Sequence, residues 1–314
     1  MSNIKNELDQ IELPEELHSR SKKGIYKAKA DGAVSTPNSR KFISIAISLL
    51  IVVGVGFVLL NLNSGNQKAN GIQQNDDGSI DIPAIELPDN PSSADMIGLI
   101  VYQGNVYTQT RTEINYEDAQ DLIDEQIGVT KGNIDEWSDD EAYTEELASS
   151  IGSGLDVYTM KGYDEGFRIM AFDWPEQGRV EIFERLNGIT IQNSQDLFEK
   201  LKLQGHVKEA EYRTFDDWNY NRDNYHAIED TERVQSFVDG LYNMDMKVSG
   251  DEANPIRESR NNDEFRELIF HLDDGTKVRL TLIKGGYIHY SYTGIYFEMK
   301  QETFQGIWKE MIEE

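Results

Sequence analysis

The chain has 314 residues, with 57 acids against 30 bases, a formal charge of −27 and no cysteine. A surface this acidic repels nucleic acid, so the bulk of the chain is not a DNA or RNA binder. The lack of cysteine excludes disulfides, thiolate zinc sites and cysteine nucleophiles, so an exported domain would stand on its packed core alone.

Residues 1–41 are too short for a domain and hold eight bases against six acids. Pro14 stands where a first helical position belongs, with Glu15 and Glu16 after it and Arg20, Lys22, Lys23, Lys27 and Lys29 toward the other end. That order complements a helix dipole. Leu13, Leu17, Ile25 and Ala28 fall roughly on one side. A lone helix of this length is marginal in water, which leaves two readings open. Either it lies on the inner leaflet with its lysines toward anionic lipid, or it orders against a cytoplasmic partner.

Phe42 to Leu62, FISIAISLLIVVGVGFVLLNL, carries no charge over 21 residues. As a helix it is about 30 Å long, the thickness of a bilayer core, and it predicts one transmembrane helix over 42–62. Seven bases oppose one acid from Leu17 to Lys41, whereas one base opposes six acids from Asn63 to Asp95. Positive flanks stay inside. The expected localisation is therefore the cell membrane, single-pass, with a cytoplasmic N-terminus and an extracellular C-terminal domain. The apolar run is too long for a cleaved signal peptide, and NLNSGNQKAN lacks a clean cleavage site. Residues 63–95, rich in Gly, Asn, Asp and Pro, predict a flexible extracellular linker.

Beyond the linker, two modules are expected, at 96–205 and 206–314. Residues 97–110 read as two strands around a turn at Gln103-Gly104-Asn105. Residues 115–127 space Ala119, Leu122, Ile123 and Ile127 as on a helix, and 128–148 read as an acidic loop. LDVYTMKGY, FRIMAFDW and RVEIFERLNGITI alternate as strands, and 194–203 predict a helix capped by Ser194. Residues 211–228 read as irregular. A helix over 231–244 buries Val234, Phe237, Val238 and Leu241. A four-strand meander then turns at Asp273-Asp274-Gly275, Lys284-Gly285-Gly286 and Thr293-Gly294, and a closing helix faces the sheet with Phe304, Ile307, Trp308 and Met311. The expected fold class is α+β: an N-terminal cytoplasmic helix, one transmembrane helix and an extracellular antiparallel-sheet-plus-helix region of two modules.

Chemistry is sparsely marked. There is no HExxH and no G-x-S-x-G elbow. His271 and His289 fall in strands read as neighbours. The acids Asp135, Glu136, Asp139, Asp140, Glu141, Glu145 and Glu146 lack the spacing of an EF-hand loop. Tyr287, Tyr290, Tyr292 and Tyr296 cluster in the final strands, where most would pack against the closing helix. No catalytic residue, no cofactor and no metal is expected.

IELPEELHSRSKKGIYKAKA, ahead of the apolar stretch, resembles the opening of single-pass anti-sigma factors. These partner extracytoplasmic-function sigma factors in spore-forming Gram-positive bacteria. TKGNIDEWS, VYTMKGYDEGFRIM, LNGITI, FDDWN and LDDGTKVRLTLIKGGYI resemble the exported region of the same kind of protein. With one histidine and no cysteine, the head departs from the zinc-type pattern. The resemblance implies a non-enzymatic, membrane-anchored anti-sigma factor. Its tail, through Leu13, Leu17, Arg20, Lys22, Lys23, Ile25 and Lys27, would hold a sigma factor from RNA polymerase. Release would follow cleavage of the linker by a regulatory protease or a change in the outer domain. Its partners would be the sigma factor and the lipid bilayer, with no nucleic acid. The alternative is a cell-surface binding or sensor protein with a simple membrane anchor.

Overall fold

A computed structural model describes residues 71–85, 97–135, 138, 144–173, 178–249 and 259–312. They form three antiparallel sheets and a few short helices. A small sheet pairs β1 (Gln73–Gln74) with β2 (Ile80–Ile82), and β2 with β9 (Ile189–Ile191). Ile80 and Ile191 are 0% and 2% exposed. Residues 71–85, assigned to the linker from composition, are thus part of the packed structure.

The first large sheet contains β3 (Leu99–Tyr102), β4 (Asn105–Gln109), β5 (Ile123–Lys131), β6 (Ser153–Met160), β7 (Arg168–Asp173) and β8 (Arg179–Glu184), in the order β3-β4-β8-β7-β6-β5. The hairpin turn forms where expected: Gln103 and Gly104 both have positive φ, 50° and 68°, as a tight two-residue turn requires. Alternation splits the sheet's side chains between two cores. Tyr107, Val157, Ile169 and Phe183 pack on one face. Met160, Met170, Phe172 and Ile182 pack on the other, with Ala119 from α1 (Tyr116–Asp121).

The second large sheet runs β11-β10-β13-β14-β15-β16-β12. Its strands are β10 (Val207–Thr214), β11 (His226–Ala227), β12 (Asp245–Val248), β13 (Phe265–Leu272), β14 (Lys277–Ile283), β15 (Tyr287–His289) and β16 (Ile295–Glu298). Helices α2 (Ser194–Phe198) and α3 (Phe215–Asn219) flank β10 in the chain, α4 (Thr231–Leu241) precedes β12, and α5 (Gln301–Trp308) follows β16. Leu268, Phe270, Val278, Leu280 and Leu282 share the main core with Phe237 and Leu241 of α4 and with Phe304 and Trp308 of α5. Full burial of each large side chain contributes roughly 1.5–3 kcal/mol.

Several expectations are corrected. The described chain is mostly antiparallel sheet, not α+β. Among the described residues no helix is long and apolar enough to cross a membrane; the longest, α4, has 11 residues. The single-pass membrane architecture and localisation therefore find no support in the described fold. The stretch 42–62 on which they rested lies outside the described residues, as does the tail. The helix expected over 115–127 stops at Asp121, and Ile123–Lys131 becomes a strand. Pairing with β6, though interrupted by register shifts, gives that backbone partners along its length, which a short acidic helix with β-branched residues cannot match. Ser194 does not cap α2. Its hydroxyl accepts from Met244 N at 3.0 Å, and Asn193 takes the cap position. The segment read as irregular, 211–228, supplies half of β10, α3 and β11.

Candidate functional site

Residues 110–115 join β4 to α1 and touch the second large sheet on the way, through an isolated bridge between Glu113 and Lys277. Glu113 N donates to Lys277 O at 2.9 Å, and Lys277 N returns a bond to Glu113 O at 2.7 Å. Around this crossing, buried polar groups replace the usual apolar contact between sheets.

On one side, Arg168 donates to Glu184 Oε1 from Nε at 2.9 Å and from Nη2 at 2.5 Å. Both side chains are fully buried. Tyr290 Oη donates to Glu184 Oε2 at 2.5 Å and lies 2.8 Å from Thr112 Oγ1. The Arg168 guanidinium sits 4.3 Å above the Tyr163 ring, and Tyr163 Oη donates to Asp274 Oδ2 at 2.6 Å. Burial pushes the Tyr163 hydroxyl up to about 12, against the pull of Arg168. Burial works against the Asp274 carboxylate, but hydrogen bonds from Tyr163 and Thr276 outweigh it and hold Asp274 below its ordinary value.

On the other side, the odd-numbered residues of β13 and β14 face away from α4 and α5. Glu267, 1% exposed, accepts from Arg213 Nε at 2.5 Å and from Arg279 Nη1 at 3.2 Å, both on Oε2. Arg111 Nη1 approaches its Oε1 at 3.6 Å. Register explains the meeting: Arg213 pairs with Glu267, Glu267 with Thr281, and Thr281 with His289. Tyr225 lies under Arg213 and Arg279, with centroid distances of 5.4 and 5.9 Å, and Trp218 of α3 lies 5.4 Å from Arg111. Burial disfavours charge on Arg279, but Glu267 and Glu113 outweigh it and hold its pKa above the ordinary value. His289 keeps some exposed surface, yet burial of its ring and the nearby Arg111 push it down to about 3. Three guanidiniums thus share one buried carboxylate in an arginine basin, with the Glu113 carboxylate at their edge.

A groove of about 400 Å³ runs between the outer edge of β10 and the start of α4, lined by Glu209, Glu211, Glu229, Val234 and His271 among others. Within it His271 Nε2 lies 2.7 Å from Glu211 Oε1. The register of β10 shifts between Val207 and Glu209, and Lys208 occupies that edge. Both features blunt an edge against an added strand, so the arginine basin is the better-built site.

The partner-binding residues expected from the sequence, Leu13, Leu17, Arg20, Lys22, Lys23, Ile25 and Lys27, lie outside the described residues. Most of the acidic run at 135–146 lies outside them too. Of its described members, Glu145 pairs with Lys131 at 2.8 Å and Glu146 accepts from Gln103 N. His271 and His289 are not neighbours: β14 lies between their strands. The tyrosines divide differently from expectation. Tyr290 belongs to the buried seam, while Tyr287 and Tyr296 meet edge-to-face at 5.5 Å. Arg111, Arg213, Glu267 and Arg279 were not singled out. Arg213, Glu267 and Arg279 lie at alternate positions of strands whose other positions are mainly apolar, a pattern that ordinarily marks a solvated face, and Arg111 lies in the connection after β4.

No family model, no curated protein and no solved structure matches the chain.

Proposed function

We propose that the chain acts by binding rather than catalysis, as a regulator whose tail at residues 1–41 holds an extracytoplasmic-function sigma factor and whose sheet region controls that hold. One observation carries the reading. The segments that resemble the anti-sigma family contribute Tyr163, Arg168, Trp218, Asp274, Thr276 and Arg279 to the same polar crossing between the two sheets. Segments scattered over more than a hundred residues of sequence thereby serve one feature. The basic tail suits an acidic protein surface, and the net charge of −27 argues against nucleic acid as the direct partner.

The test is capture. A peptide of residues 1–41 should recover one sigma factor from its own cell, and Leu17→Asp should abolish recovery. A peptide that recovers no sigma factor, or binds only anionic vesicles, overturns the reading.

The second reading is a sensor whose tail has no role in transcription, and the arginine basin favours it. Deleting residues 2–30 separates the two: unchanged transcription of every sigma-dependent gene supports the sensor alone.

A further inference from the structure

We propose that Arg111, Arg213 and Arg279 form a receptor for a small carboxylate or phosphate anion, and that the Glu113 side chain occupies the ligand's place in its absence. The balance of charge is the first reason. Three guanidiniums converge on Glu267, among the described residues the one carboxylate buried with them. The remaining negative charge comes from Glu113, whose side chain is 54% exposed and reaches Arg279 Nη2 at 2.8 Å.

The geometry of that contact is the second reason. Nε and Nη2 form one edge of a guanidinium, the fork that grips both oxygens of a carboxylate or phosphate. Glu113 uses only Nη2. Arg279 Nε is buried and has no hydrogen-bond partner among the described residues, although the side chain is only 10% exposed. An unmet buried donor beside a half-exposed carboxylate is the arrangement of an intramolecular substitute that fits less well than the ligand. Trp218, packed against Arg111, leaves a second buried donor, Nε1, without a partner among the described residues.

The setting selects for size. Charges separated by more than about 8 Å are largely screened at physiological ionic strength. A small anion therefore meets the basin, whereas a polyanion also meets the acidic exterior. The site has a mechanical connection as well, because the Glu113 backbone is the bridge to Lys277 at the head of β14. Displacing its side chain frees the carboxylate and leaves both backbone bonds in place.

The experiment is titration calorimetry on the full chain with inorganic phosphate and, separately, succinate, each against sodium chloride at matched ionic strength. Glu113→Ala should bind at least one anion about ten-fold more tightly than the unaltered protein, with an unchanged circular dichroism spectrum. Adding Arg279→Lys should return affinity to the starting level or below, because an ammonium has no fork. The anion bound more tightly identifies the ligand class. Absence of binding above chloride in both proteins, up to about 10 mM and thus beyond a Kd of about 1 mM, overturns the proposal. Equal affinity in the two proteins overturns it too, since Glu113 would then not compete. The Glu113→Ala gain decides the matter even where Arg279→Lys fails to fold. Sigma-factor capture by residues 1–41 does not depend on this result.

Discussion

Tyr163 and Asp274 stand 111 residues apart in the chain, and their side chains meet at 2.6 Å where the two large sheets approach. The hydroxyl donates to a carboxylate that Thr276 also serves, through its backbone N at 2.9 Å and its Oγ1 at 2.7 Å. Tyr163→Phe removes one of those donors and leaves Asp274 part-satisfied, at an expected cost of about 1–3 kcal/mol. Because the folded-state pKa of Asp274 is lowered, its contribution is present above the unfolded carboxylate value and is lost as pH falls through the folded one. Urea unfolding of Tyr163→Phe, Asp274→Asn and the double variant measures the coupling. Strictly additive losses would show that the bond contributes nothing.

Arg168 and Glu184 make a harsher case, since both are fully buried. Breaking such a pair leaves a lone buried charge, and Arg168→Met alone should cost about 3–5 kcal/mol. Replacing both partners by apolar residues of similar volume removes both charges. Arg168→Met combined with Glu184→Leu should therefore recover most of the loss, while Tyr290 keeps Thr112 as its partner. A double variant no more stable than the worse single one, by chemical denaturation, would contradict this account.

The legible part of the fold is the part governed by local rules. The turn at Gln103-Gly104, the buried face of α4 and the meander from Phe265 to Glu298 follow from turn chemistry and periodicity, and each forms as expected. Residues 123–127 were misread because their helical spacing is real, and 128–131 because they open an acidic run, but an unpaired edge of β6 claims the backbone of both. Ile80 and Ile82 were misread because scattered isoleucines in a polar stretch look like a linker until a partner strand, β9, arrives from far along the chain. The arginine basin was illegible for a further reason. Arg213, Glu267 and Arg279 sit on the charged face of their strands as in any exposed sheet, and the covering by Arg111, Trp218 and Tyr225 buries them.

Gly104 and Gly132 look alike in sequence and differ in what surrounds them. Both have positive φ, 68° and 62°. A side chain at Gly104 meets open space, whereas a Cβ at Gly132 would lie 2.4 Å from Ser153 N and 2.5 Å from Gly152 C, both backbone atoms. Gly104→Asn should cost no more than about 1 kcal/mol, because asparagine tolerates the left-handed region. Gly132→Ala carries a left-handed penalty of about 1–2 kcal/mol and must also push the Gly152–Ser153 backbone aside, so its loss should exceed that range. Thermal unfolding of the two variants checks the order, and equal losses would refute it.

His289 should make stability depend on pH in a window whose upper part, from about 5 to about 6.5, lies above the range where ordinary carboxylates titrate. Its folded-state pKa is about 3, against an ordinary value of 6.5. Between those limits the unfolded chain binds a proton that the folded one refuses, so unfolding becomes easier as pH falls. The stability is fully present above the unfolded value and declines with a limiting slope of about 1.4 kcal/mol per pH unit from this one group. Replacing the ring by a group that does not titrate removes that slope. In urea unfolding at about pH 7 and about pH 5, the loss on acidification should be smaller for His289→Gln than for the unaltered chain, whatever the variant costs at neutral pH. An equal loss in both proteins would mean that the imidazole accepts its proton in place and that Arg111 does not oppose it.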